Sequence, residues 1–94
     1  MRRKVRRNLH WDIEAWRDFL DWQRAGGPTF ERLLLLLEEC LGDEPFRGTG
    51  KPEPLKHDLA GLWSRRITQE HRLVYNVSDE CIYIYQCKTH YKKS

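Results

Sequence analysis

Between Gly48 and His57 the chain reads GTGKPEPLKH, a carboxylate set between two prolines with lysines on either side. Pro52 and Pro54 each fix their own φ and bias the preceding residue toward extended backbone, so Glu53 is held stiffly before anything binds. A carboxylate among cations admits two readings: a salt-bridge hub, or a general base beside a pocket built for phosphate. Lys51 and Lys56 flank it in sequence, and Arg66 and Arg72 come near it once the downstream strands close. A second proton-transfer candidate is His90 in CKTHYKK, next to Tyr91 and among Lys88, Lys92 and Lys93. That histidine is either a solvated residue near a terminus or, because imidazole titrates near neutrality, a proton donor. Base, acid and arginines together suit RNA cleavage without metal. The base takes the proton of a ribose 2′-OH, whose oxygen attacks the adjacent phosphate. The acid then protonates the departing 5′ oxygen, while arginine neutralises the transition state.

The composition limits what can position such groups. Apolar residues make up 39% and charged residues 33% of 94 residues, which is one domain with a thin core. No apolar run reaches the roughly 18 residues needed to cross a bilayer. MRRKVRR is followed by no signal-peptide apolar region, so a cytoplasmic protein is expected. Cys40, Cys81 and Cys87 lack CxxC spacing, and His10, His57, His71 and His90 are scattered singly. No zinc template is met, and reduced, partly buried thiols with no metal or other cofactor are expected. The net charge of +3 is unevenly spread. Residues 1–7 carry five positive charges, residues 8–46 three basic and nine acidic side chains, and residues 47–94 nine basic and five acidic ones. A body acidic in its first half and basic in its second suits a protein that meets a polyanion with one face. Residues 1–7 read as a basic extension, and 8–94 as a single domain.

NLHW reads as a first strand. DIEAWRDFLDWQRA then sets Ile13, Trp16, Phe19, Leu20 and Gln23 on one helical face, with Asp12 as N-cap. GGP breaks that helix, and Pro28 suits the first turn of the next. TFERLLLLLEECL carries Phe30, Leu33, Leu34, Leu37 and Leu41 at core spacing, with Gly42 able to end it. Leu35 and Leu36 widen the apolar face, giving either a helix buried on more than one side or an exposed patch for a partner. A short link predicts an antiparallel helical hairpin. EPFRGTGKPEP is a loop by its Gly and Pro content. LWSRRIT, HRLVYNVS and CIYIYQCK read as an antiparallel meander. The fold class is α+β, two N-terminal helices packed on one face of a twisted antiparallel sheet. Alternation puts Leu73, Tyr75, Val77 and Ile67 toward the helices. Arg66 and Arg72 then point from the open face, as solvated arginines or as part of a site, and Arg65 is expected at an edge.

GTGKPEPLKHDLAGLWSRRITQEHRLVYNV with the closing CKTHY resembles the YoeB/Txe family within the RelE/ParE toxin superfamily, and LHWDIEAWRDFLDWQ is similar to that family's opening strand and helix. The resemblance spans about residues 8–91. It implies a ribosome-dependent messenger-RNA endonuclease acting in the 30S A site, leaving a 2′,3′-cyclic phosphate and a 5′-hydroxyl. It also implies silencing by a YefM/Axe-type antitoxin, and dimers are common. Residue by residue, Glu53 matches the general base, His90 the general acid, Arg72 the transition-state arginine and Tyr91 the terminal tyrosine. Lys56 and Arg66 match residues that position the phosphate, with Lys51 beside them. Lys92, Lys93 and Ser94 follow the His-Tyr pair at which the family usually stops. A second function stays open from another class: gyrase-directed members of the superfamily block their target by binding alone on a similar scaffold. The Glu53, Arg72 and His90 set distinguishes the two, because a blocker has no need of it.

Overall fold

The computed structural model describes residues 7–89; His90, Tyr91 and Lys92–Ser94 lie outside the described residues, as do residues 1–6. Strand β1 (Asn8–Trp11) leads into helix α1 (Ile13–Ala25), and α2 (Gly27–Cys40) follows after one residue. A long loop then reaches β2 (Glu53–Pro54), a short 3-10 turn at His57–Leu59, and strands β3 (Trp63–Arg66), β4 (Arg72–Val77) and β5 (Cys81–Gln86). The five strands form one sheet in the order β1-β5-β4-β3-β2. β2 through β5 are antiparallel neighbours, whereas β1 lies parallel to β5 as an edge. These two strands are joined by the helices and the three other strands together, a connection far longer than the minimum that a parallel pair needs. The α+β class is therefore as expected, with one parallel edge added.

Both helices follow their start signals. The Asp12 carboxylate accepts the Glu14 N–H, the capping bond that satisfies a helix's unpaired first-turn donors. Pro28 occupies the first turn of α2, and Gly26, at φ 65°, makes the break between the helices. The faces they bury differ from the expected ones. In α1 the inward stripe is Ala15, Asp18, Phe19 and Trp22, with Ala15 fully buried, while Ile13 is 59% exposed and Gln23 is exposed. Alanine allows the helix to sit close to the sheet; the bulkier Ile13 and Trp16 do not fit there. Trp16 instead stacks on Phe19, which meets Trp11 and Phe30 in an aromatic group at the end of the hairpin.

In α2 the stripe is Leu33, Leu36, Leu37 and Cys40, rotated from the expected Phe30, Leu33, Leu34, Leu37 and Leu41. Leu36 is fully buried and Leu35 is 47% exposed, so the leucine run is split between core and surface. The sheet's side of the core is Ile67, Leu73, Tyr75, Ile82, Ile84 and Cys87. All three cysteines are free thiols. Burial pushes Cys40 up to about 11 and Cys87 up to about 12, which keeps both unreactive. No helix among the described residues is long and apolar enough to cross a membrane.

Candidate active site

Glu53 reaches its position through a loop fastened from inside the protein. The fastener is Arg65, whose side chain has no exposed surface: it keeps the core side that strand parity gives it, against the expectation of an edge position. Its Nη1 donates to Glu39 Oε1 at 2.6 Å and to the Thr49 carbonyl at 3.1 Å. Nη2 donates to the carbonyls of Pro45 and Arg47 at 3.0 and 2.7 Å, and Nε to the Tyr75 hydroxyl at 3.2 Å. Tyr75 in turn donates to the Pro45 carbonyl at 2.7 Å. Thr49 closes the circuit, its N–H and hydroxyl donating to the two Glu39 oxygens at 2.8 and 2.6 Å. Those Thr49 bonds, followed by Arg65, hold the Glu39 carboxyl below its usual value. Burial pushes the Tyr75 hydroxyl up to about 12, so it stays a neutral donor. A core-parity arginine is visible in the sequence; the acceptors that keep it inside are not, because they are mostly loop carbonyls.

Two glycines make the route possible. A Cβ on Gly48 would collide with Glu39 Oε1, and one on Gly50 would lie 2.9 Å from the Arg66 carbonyl. The Gly50 carbonyl accepts the Arg66 N–H at 2.7 Å, which ties the loop to β3. Lys51 follows at φ 51°, a left-handed backbone that non-glycine residues seldom adopt. The chain then enters β2, an edge strand, where Pro54 deprives no neighbour of a ladder bond.

From there the register places the candidates. Partners directly opposite one another share a sheet face. Glu53 pairs with Ser64, Ser64 with Val74, and Val74 with Gln86, giving one row across four strands. Arg66 pairs with Arg72 in the next row on the same face, the face away from the helices. So Glu53, Arg66 and Arg72 are brought together as expected. Lys51 and Lys56 adjoin Glu53 in the chain and are exposed. One expectation fails in detail: Arg72 is not a solvated arginine but is 8% exposed, and Ser64 and Val74 in this region are buried too. Arg72 Nη1 donates to the carbonyls of Thr68, Gln69 and His71 at 2.9–3.2 Å, which anchors the guanidinium at the β3–β4 turn. Nor is Glu53 the centre of an ion-pair hub. Among the described residues it pairs with no cation, and neither Arg66 nor Arg72 pairs with a carboxylate.

Arg66 and Arg72 hold directly opposed strand positions, where like charges disfavour one another unless an anion joins them, and the planar fork of arginine is of the shape that matches a phosphate. His90 and Tyr91 lie outside the described residues, but the segment leading to them is fixed. Thr89 donates its N–H to His71 Nδ1 at 2.6 Å and accepts the Arg72 N–H at 2.9 Å. The Trp22 indole donates to the Cys87 carbonyl at 2.6 Å and meets the His71 ring edge-on. A shallow cleft at the far end of the loop, lined by Glu39, Asp43, Glu44, Arg47 and Gly48, carries three carboxylates and does not suit a phosphate.

Comparison with known proteins gives one consistent result. Residues 11–91 match the model of a family described as the YoeB-like toxin of bacterial type II toxin–antitoxin systems. The chain is 50% identical over 86 residues to Toxin YoeB of Escherichia coli K12, covering 88% of this chain and 98% of that relative. Two solved structures from Staphylococcus aureus, a YoeB dimer and a YoeB–YefM complex, superpose with TM-scores of 0.83 and 0.82. Each is 40% identical to this chain and covers 92% of it, with 99% of the other chain matched.

Proposed function

The chain belongs to the YoeB-like toxin family of bacterial type II toxin–antitoxin systems, and we propose that it is a cytoplasmic endoribonuclease that cuts messenger RNA in the ribosomal A site. The observation that carries this reading is the opposed Arg66–Arg72 couple, without a carboxylate partner among the described residues and one row from Glu53 on the same sheet face. In this mechanism Glu53 removes the 2′-OH proton, and the freed oxygen attacks the adjacent phosphorus. Arg72 and Arg66, with Lys51 and Lys56 at the rim, hold the non-bridging oxygens and neutralise the charge that builds on them. His90 protonates the 5′ oxygen as it leaves, and Tyr91 takes the part of the family's terminal tyrosine in the reaction. The products are a 2′,3′-cyclic phosphate and a 5′-hydroxyl, formed without a metal ion.

The anchoring of Arg72 by turn carbonyls fits a role that needs a fixed charge rather than a mobile one. A small domain presents few groups to align RNA unaided, so the ribosome supplies the rest and naked RNA is cut weakly. Silencing falls to a YefM-type antitoxin, the kind of partner with which the Staphylococcus aureus relative forms its complex, and a homodimer is the expected free form.

Primer-extension mapping on translating ribosomes tests the reading. Wild-type protein should give a cut in the A-site codon with 5′-hydroxyl ends, and Glu53→Ala should lower the rate about 10²–10⁴-fold while still binding antitoxin. A wild-type protein that stalls ribosomes without cutting, equally with or without Glu53, would make it a blocker instead.

A further inference from the structure

Beyond the arginines, the same open face carries a stack of rings that the cleavage reading does not use. Asn8 and His10 of β1 pair with Cys81 and Tyr83 of β5, and Asn76 of β4 pairs with Tyr83 from the other side. The His10 and Tyr83 rings lie 4.1 Å apart and 17° from parallel, and Tyr83 and Tyr85 lie 5.0 Å apart and 28° from parallel. A register shift explains the third ring. Tyr75 pairs with Ile84 and Val74 with Gln86, so Tyr85 is the extra residue of a bulge. Bulges of this kind re-aim side chains beside functional sites. Here the bulge leaves Tyr85 38% exposed, next to Gln86, the end of the row that begins at Glu53. His10 at the other end of the stack is also exposed.

The inner faces of the three rings cover one another, and the exposed end rings, Tyr85 and His10, are where unpaired bases can extend the stack, because every base offers a π-face. From Glu53 on β2 to Gln86 on β5 is three strand spacings, about 14 Å, a span that a few nucleotides of single strand cover. The strand positions of this face hold Arg66, Arg72 and one carboxylate, Glu53 itself, so the charge suits a polyanion along the whole route. The geometry points to a stacking subsite at Tyr85, Tyr83 and His10 for bases of single-stranded RNA flanking the cleaved bond. This rests on the ribonuclease reading for its direction across the sheet, though the stacking itself does not require that the protein cut.

Binding separates the two. A fluorescently labelled oligoadenylate and an abasic ribose-phosphate strand of the same length are titrated into the non-cleaving Glu53→Gln protein at fixed salt. Preference for the base-bearing strand is expected, and Tyr83→Ala with Tyr85→Ala should weaken oligoadenylate about tenfold or more while the abasic strand binds as before. Tyr85→Phe, which keeps a ring, should retain the preference. If the double variant loses its melting transition, the exposed Tyr85→Ala alone carries the comparison. The subsite is overturned if the preference survives both tyrosine truncations, or if Tyr85→Phe falls with Tyr85→Ala. It is equally overturned if the truncations leave oligoadenylate binding alone and abolish antitoxin binding, which would make the rings a protein interface. A protein that prefers bases yet never cuts on ribosomes would keep the subsite and refute only the nuclease.

Discussion

A guanidinium without exposed surface is costly unless its N–H groups find acceptors, and Arg65 meets that condition with four different residues of one side of the core plus Tyr75. Its neighbour Arg66 faces the other way and meets no carboxylate among the described residues. Alternation along β3 makes the division: one arginine holds the loop that leads to Glu53, and the next stands on the open face, where the proposed phosphate role would use it. Arg65→Ala should therefore destabilise the protein by about 3–5 kcal/mol, read from urea unfolding, and Arg65→Lys should recover little of it because an ammonium lacks the fork. Glu39 gives the pH signature. Its carboxyl is held below the usual 4.5, chiefly by Thr49 and then by Arg65. A depressed carboxyl stabilises the fold above its unfolded value, and that contribution is lost as pH falls through the folded one. Glu39→Gln should thus be less stable than wild type at neutral pH, with the gap closing below about 4.5. A gap unchanged at pH 3 would show that Glu39 acts through shape rather than charge.

At the scale of elements, the signals that are local in sequence translate directly into structure. Asp12 caps α1, Pro28 opens α2, Gly26 breaks the pair, and the alternation of RLVYNV turns Leu73 and Tyr75 inward. Which stripe of each helix meets the sheet is not legible, because several stripes of α1 and α2 are apolar enough and the choice is made by how closely the backbone can approach. Ala15 and Asp18 win over Ile13 and Trp16 for that reason. The candidate site is legible in composition and not in enclosure: Arg66 and Arg72 share a face as their parity implies, but Glu53 lies in a segment that reads as a loop and proves to be edge strand β2, and no pattern announces that Arg72 is buried and bound to turn carbonyls. His71 and Trp22 are equally silent, since their work is done on backbone groups some 18 and 65 residues away. Two substitutions measure these element-level bonds. Asp12→Ala should cost about 1 kcal/mol through the lost cap. Trp22→Phe keeps a ring in the core but loses the bond to the Cys87 carbonyl, also at a cost near 1 kcal/mol, in thermal or urea unfolding. Either change leaving stability untouched would mean that the bond is replaced by water.

Over the whole molecule, charge is sorted by chain position, and the sheet turns that sorting into faces. Helices and their loop carry most of the carboxylates, while β3, β4 and the loop into β2 carry the cations around Glu53. The basic extension adds five further cations at the start of the chain. Arg7, where the described structure begins, already donates to the Ser78 carbonyl at 2.7 Å, which docks the start of the domain against the β4–β5 turn. Removing residues 1–6 takes away Arg2, Arg3, Lys4 and Arg6 and leaves that bond intact. If those four cations serve long-range attraction to ribosomal RNA, each phosphate they no longer neutralise should flatten the plot of log affinity against log salt by about 0.7–0.9. Single-turnover cleavage on saturated ribosomes should stay as it was, since encounter and chemistry are then separated. A truncated protein whose saturated rate collapses, with its salt slope unchanged, would put the extension inside the reaction rather than on the path to it.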